Sequence, residues 1–128
     1  MVGAKAYMEY TEQSIYTSSP GDILLMLFNA ELKNIKAAIL FIQKNRYKEA
    51  HERLLKAQDI MTELISSLDF SYKISDDLSK LYSFIKNELI YANIHKDTDR
   101  LSQLLPIVTE LRDAWDRANS MSTPLASK

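Results

Sequence analysis

The stretch YTSSPGDILLMLFNAELKNIKAAILFI, residues 16–42, decides the fold class. Ser19 can take the N-cap, Pro20 fits the first helical position, where a missing N–H costs nothing, and Asp22 stands at N3 as in a capping box. From there Leu25, Phe28, Leu32, Ile35, Ile39 and Ile42 recur at spacings of three and four, which gathers them on one face of an α-helix. The run of six apolar residues from Ile23 to Phe28 exceeds what one stripe needs. The surplus forms a second row, Ile23, Leu27, Ala30, Asn34, Ala37 and Phe41, on the side nearly opposite the first.

The rhythm continues outward from this helix. A second helix from about residue 46 to 68 carries Tyr47, Ala50, Leu54, Ala57, Met61, Leu64 and Leu68 on one face and mostly charged residues on the other. The segment DFSYKISDD, residues 69–77, breaks the pattern, and Asp76 and Asp77 suit the positive end of a third helix starting near Ser75. Its stripe is Leu78, Tyr82, Ile85, Leu89 and Ala92. Asp97 or Thr98 caps a fourth helix with the stripe Leu101, Leu104, Val108, Leu111, Trp115 and Ala118, and Pro106 inside it predicts a bend near Ser102.

Two glycines and three prolines leave little material for a sheet and its turns. The expected fold is all-α, an antiparallel up-down-up-down four-helix bundle over residues 20–119, with short loops and an N-terminal capping segment. Residues 1–19 read as a mobile segment, and residues 120–128, NSMSTPLASK without its first residue, as a disordered tail.

Composition narrows the function classes. A chain of 128 residues, 46% apolar and 26% charged, supports one domain with a single core. The net charge of −1, with both signs interspersed, gives no footprint for nucleic acid or an anionic membrane. Without cysteine there is neither a disulfide framework nor a thiol nucleophile. No apolar run approaches the ~18 residues of a membrane span, and the N-terminus lacks a signal-like apolar core. The expected location is the cytoplasm.

Catalytic motifs do not assemble. His51-Glu52 is followed by Leu55 where a zinc-protease helix needs a second histidine. His95, Asp97 and Asp99 read as a helix cap and dipole complement rather than metal ligands. Arg46 and His51 match the arginine–histidine spacing of helical HEPN ribonucleases, yet no further polar cluster supports them. We expect no enzyme activity, no cofactor and no metal.

The second row on the first helix therefore carries the functional question. An internal helix that is apolar all round would absorb it as core. Alternatively it lines a groove, with bulky ends at Ile23, Leu27 and Phe41 and small Ala30 and Ala37 between them. Ile90 and Ile94 repeat the feature more weakly on the third helix. Tyr7, Tyr10, Ile15 and Tyr16 crowd amphipathic side chains into the N-terminal segment, which suits a cap or a lid over that surface. A homodimer seam is the competing reading, and gives the alternative of a self-associating structural bundle.

The run from Tyr10 through Ile15-Tyr16-Thr17-Ser18-Ser19-Pro20-Gly21-Asp22-Ile23-Leu24-Leu25-Met26-Leu27-Phe28-Asn29 resembles the start of the FliS flagellar export chaperones. Leu89, Ala92-Asn93, Asp97 and Leu101, followed by Leu111-Arg112-Asp113-Ala114-Trp115, are similar to that family's closing signature, with Leu68-Asp69 between. Asn29-Ala30-Glu31 departs from the family's common Asp-Gly-Ala, and Tyr72-Lys73-Ile74-Ser75 stands where many members have a glycine pair. The resemblance implies a cytoplasmic helical bundle, monomeric or weakly dimeric. It would bind the disordered C-terminal segment of flagellin, one client per chaperone, block premature polymerisation and aid delivery to the flagellar type III export apparatus. The groove expected for that client is Ile23, Leu27, Ala30, Ala37, Phe41, Ile90 and Ile94.

Overall fold

The computed structural model describes residues 20–126, with side chains to residue 120. The expected lid residues Tyr7, Tyr10, Ile15 and Tyr16 lie outside the described residues, as does the N-cap role of Ser19. Helix α1 spans Pro20–Gln43, α2 Tyr47–Ser66, α3 Ile74–His95 and α4 Thr98–Ala126. The described residues contain no strand.

Each helix boundary has a local cause. At the end of α1, Asn45 adopts φ 59°, and the Arg46 and Asn45 amides donate to the Phe41 and Ile42 carbonyls at 2.8 and 2.9 Å. This is a Schellman closure with asparagine at its left-handed position. Lys96 closes α3 in the same way at φ 50°, with the Asp97 amide donating to the Ala92 carbonyl at 3.0 Å. A lysine is a poor left-handed residue; here its ammonium reaches back to the Asn93 side-chain oxygen at 2.6 Å and to the Asn93 carbonyl. Asp97 then caps α4, its carboxylate accepting from the Arg100 amide at 3.0 Å. Between α2 and α3, the Asp69 carboxylate accepts from the Ser71 amide and hydroxyl, and the Ser75 hydroxyl donates to the Asp69 carbonyl at 2.6 Å.

The helices form a four-cornered ring in which α1 packs on α2 and α4, and α3 packs on α2 and, least extensively, on α4. The diagonal pairs α1/α3 and α2/α4 have no backbone approach. Antiparallel register follows from named pairs: Asn119 donates to Asp22 at 2.7 Å, Arg112 to Asn29 at 3.4 Å and Arg53 to Asn34 at 3.3 Å. Gly21 packs against Asn119 at the α1/α4 end, where a Cβ would stand 2.1 Å from the Asn119 side-chain oxygen and would turn that side chain aside.

The core follows the apolar stripes. Phe28, Leu32, Ile35 and Ile42 of α1 are buried, with Ala50, Leu54, Ala57, Met61 and Leu64 of α2, Tyr82, Ile85, Leu89 and Ala92 of α3, and Leu101, Leu104 and Val108 of α4. Tyr47, at the start of α2, and Ala118, in the C-terminal part of α4, both expected on the stripes, are exposed.

Two expectations are corrected. Leu27 retains only 5% exposure and belongs to the core. Helix α1 is flanked by two neighbours, so its buried arc is wider than one stripe and extends on the α2 side through Leu27, Glu31, Asn34 and Ala38. The tail expected from residue 120 is also corrected, since α4 continues to Ala126. Residues 119–123 contain neither glycine nor proline to stop it. Pro106 likewise sits inside α4 without ending it.

Candidate functional site

Part of the second row of α1 faces the side on which α2 packs, while Ala37 borders α4. Asn34 donates to the Ala30 carbonyl at 3.0 Å and accepts from Arg53 of α2. With Leu27 one stretch earlier on the same face, it is withdrawn from solvent. Ile23, Ala30, Ala37 and Phe41 remain half-buried, with Ala30 and Phe41 packed against the core. The Arg46 guanidinium lies over the Phe41 ring at 5.2 Å and pairs with Glu49.

Ile90 and Ile94 are exposed on α3, Ile94 at 73%. Since α1 and α3 occupy diagonal corners, the structure does not bring these two residues together with the α1 row into one groove. They belong instead to a separate outer face of α3 that includes Phe84 and Tyr91, both exposed. Phe84, Asn87, Tyr91 and Ile94 follow one another at spacings of three, four and three, which aligns them along the helix. Sequence reasoning missed Phe84 and Tyr91, although that spacing, out of phase with Tyr82, Ile85 and Leu89, could have found them.

Polar anchors hold this face of α3 in place. Arg100 of α4 stacks on the Tyr91 ring, its guanidinium 3.9 Å from the centroid. The same group donates to both Glu88 oxygens at 2.9 and 3.1 Å and lies 3.8 Å from Asp97. The His95 ring approaches Tyr91 with centroids 4.2 Å apart. On the other side, Asn93 is buried and shares hydrogen bonds with His51 of α2 at 3.0–3.2 Å. His51 is therefore committed to Asn93 and Arg46 to Glu49 and Phe41, so the two are engaged separately. Burial pulls the Lys96 ammonium below the usual lysine value. No group of three or more metal-ligating side chains occurs among the described residues.

A third feature lies between α1 and α4, where a cleft of about 460 Å³ runs past Leu32, Lys33, Lys36, Ala37, Leu40 and Arg112. Its geometry is distinct from the α3 face. No helix of the described residues is long and apolar enough to cross a membrane.

Comparison with known proteins bears on these surfaces. The family model described as flagellar protein FliS matches residues 3–122. The flagellar secretion chaperone FliS of Bacillus subtilis is 36% identical over 112 residues, covering 88% of this chain and 84% of the relative. The proteins of the same name from Vibrio cholerae and Escherichia coli are each 29% identical, covering 88% of this chain and 85% and 86% of their own lengths. These matches run over most of the chain, and the chain belongs to the FliS family of flagellar secretion chaperones, which are not enzymes.

Proposed function

We propose that this chaperone binds the disordered C-terminal segment of flagellin in the cytoplasm, prevents its premature polymerisation and delivers it to the flagellar type III export apparatus. The observation that carries the reading is the exposed apolar stripe Phe84, Tyr91 and Ile94, with Ile90 beside it, on a chain of this family. A terminal segment that assembles by burying apolar helical faces is a polymerisation hazard while free. Occupying those faces removes the growth contact. Ordering such a segment costs several kcal/mol, which long apolar contact offsets. The α3 stripe, and the accessible Ile23, Ala30 and Phe41 on the other side of α2, supply two tracks for a client that wraps the bundle; Ala37, also accessible, lines the α1/α4 cleft instead. Leu27, being core, is not part of that surface.

Titration calorimetry of the full chain with a flagellin C-terminal peptide tests the proposal. We expect one peptide per chaperone, a gain of helix on mixing and a negative heat-capacity change. Ile94→Asp should weaken binding while leaving the melting transition intact; Tyr91→Ser should weaken binding too, and also lower stability by loss of the Arg100 stack. Absence of binding to the peptide, together with a chaperone dimer that persists on dilution and is dissociated by Ile94→Asp, would identify the stripe as a homodimer seam instead.

A further inference from the structure

The cleft between α1 and α4 has a charge pattern that the client surface lacks. Leu32, Ala37 and Leu40 form its apolar lining, and Lys33, Lys36 and Arg112 stand beside them. Leu40, in the last turn of α1, is 55% exposed. Lys33 and Lys36 are exposed and form no ion pair among the described residues. Arg112 is partly matched by Asp113 at 2.8 Å and also reaches Asn29.

The two lysines have no carboxylate partner at the surface of their own helix. Between Asn29 and Gln43 the only carboxylate on α1 is Glu31, which points into the bundle and has no exposed surface. Lys44, exposed one turn beyond Leu40, extends the basic line. From Lys33 to Lys44 the line is about 16 Å long at 1.5 Å per residue, three turns of helix. Small Ala37 in its middle permits close approach of a second backbone.

We propose that this cleft docks an acidic amphipathic helix of a second protein, separate from the flagellin client. Leucine-like residues at spacings of three and four would cover Leu32, Ala37 and Leu40, and flanking glutamates would meet Lys33 and Lys36. The cleft lining has no aromatic ring on which nucleobases stack. Leu40 is its single large exposed apolar side chain, too little to enter a lipid surface. The cleft lies on the α4 side of α1, away from α3, so both partners fit one bundle.

The test uses the full chain and a fluorescent synthetic helix with leucines along one face and glutamates at its edges. Its controls are the same helix with glutamine for glutamate, phosphatidylserine vesicles and a single-stranded oligonucleotide. The glutamate helix should bind with an affinity that falls with added salt and survives saturation with flagellin peptide. The double variant Lys33→Gln/Lys36→Gln should weaken it about tenfold, and Leu40→Ser should also weaken it, both with unchanged thermal melts. The inference is overturned by equal binding of the glutamine helix, by no effect of the lysine changes, by no binding of the glutamate helix, or by tighter binding of vesicles or oligonucleotide.

Discussion

Phe28 and Tyr82 meet across the axis of the bundle, their ring centroids 6.3 Å apart and their planes tilted by 56°, although α1 and α3 have no backbone contact. Tilted pairs at this separation are favourable beyond the area they bury. Burial pushes the Tyr82 pKa up, and the neighbouring Trp115 side chain of α4 opposes the shift. Three corners of the ring are therefore joined through one side chain. Phe28→Ala should cost about 3–5 kcal/mol. Tyr82→Phe, which keeps the ring and removes the hydroxyl, should cost about 1 kcal/mol, and equilibrium denaturation in urea measures both.

Glu31 is fully buried and neither carboxylate oxygen has a hydrogen-bond partner. Burial raises its pKa well above the ordinary value of 4.5, so the folded protein retains a proton that the unfolded chain gives up. Stability contributed by the neutral acid is fully present below the unfolded value and is lost as pH rises from there toward the folded pKa. Glu31→Met should therefore stabilise the protein by about 1–3 kcal/mol at neutral pH, with the gain shrinking as pH falls toward 4.5. Melting curves of both proteins across that range measure the difference.

Leu27→Asp places a carboxylate in the core arc on the α2 side. An unpaired buried charge costs several kcal/mol out of a total of roughly 5–15. The variant should be unfolded or nearly so by circular dichroism. Leu25→Asp, at a half-buried position, should be milder.

Arg100 joins α3 to α4, the least extensive of the four packed edges. Its side chain is 34% exposed and that of Glu88 23%, so solvent screening limits the ion pair to the surface range of about 1 kcal/mol. The stacking on Tyr91 adds to this. Arg100→Ala should lose about 1–2 kcal/mol. Arg100→Lys should recover only part, because an ammonium lacks the flat face that lies on the ring; chemical denaturation of the two variants decides.

Helix number, order and most core positions were legible because apolar spacing at three and four reports directly on which face a helix buries. Pro20 marked the start of α1, and Asp97 the cap of α4. What one-helix periodicity does not contain is how many neighbours a helix has. That omission placed Leu27 in solvent, since only the ring arrangement reveals that α1 is covered on two sides. It also merged Ile90 and Ile94 with the α1 row, though the two helices sit at opposite corners. Asn34 looked compatible with a surface row, and its burial depends on Arg53, a partner 19 positions away. The helical extension to Ala126 opposed a composition that reads as a tail, because small polar residues lower helix propensity without forbidding a helix already begun.

The double coverage of α1 also orders events on the ribosome. Helix α2 follows α1 after a short turn, so one flank is covered almost as soon as it is made. The other flank must wait for α4, the last helix to emerge, a delay on the order of ten seconds at ordinary translation rates. During that interval that flank lacks the helix that will cover it. Lys33 and Lys36 stand along that waiting side. Charges that border an apolar face disfavour its association with other chains, and Lys33 and Lys36 would do so before the fold they border exists.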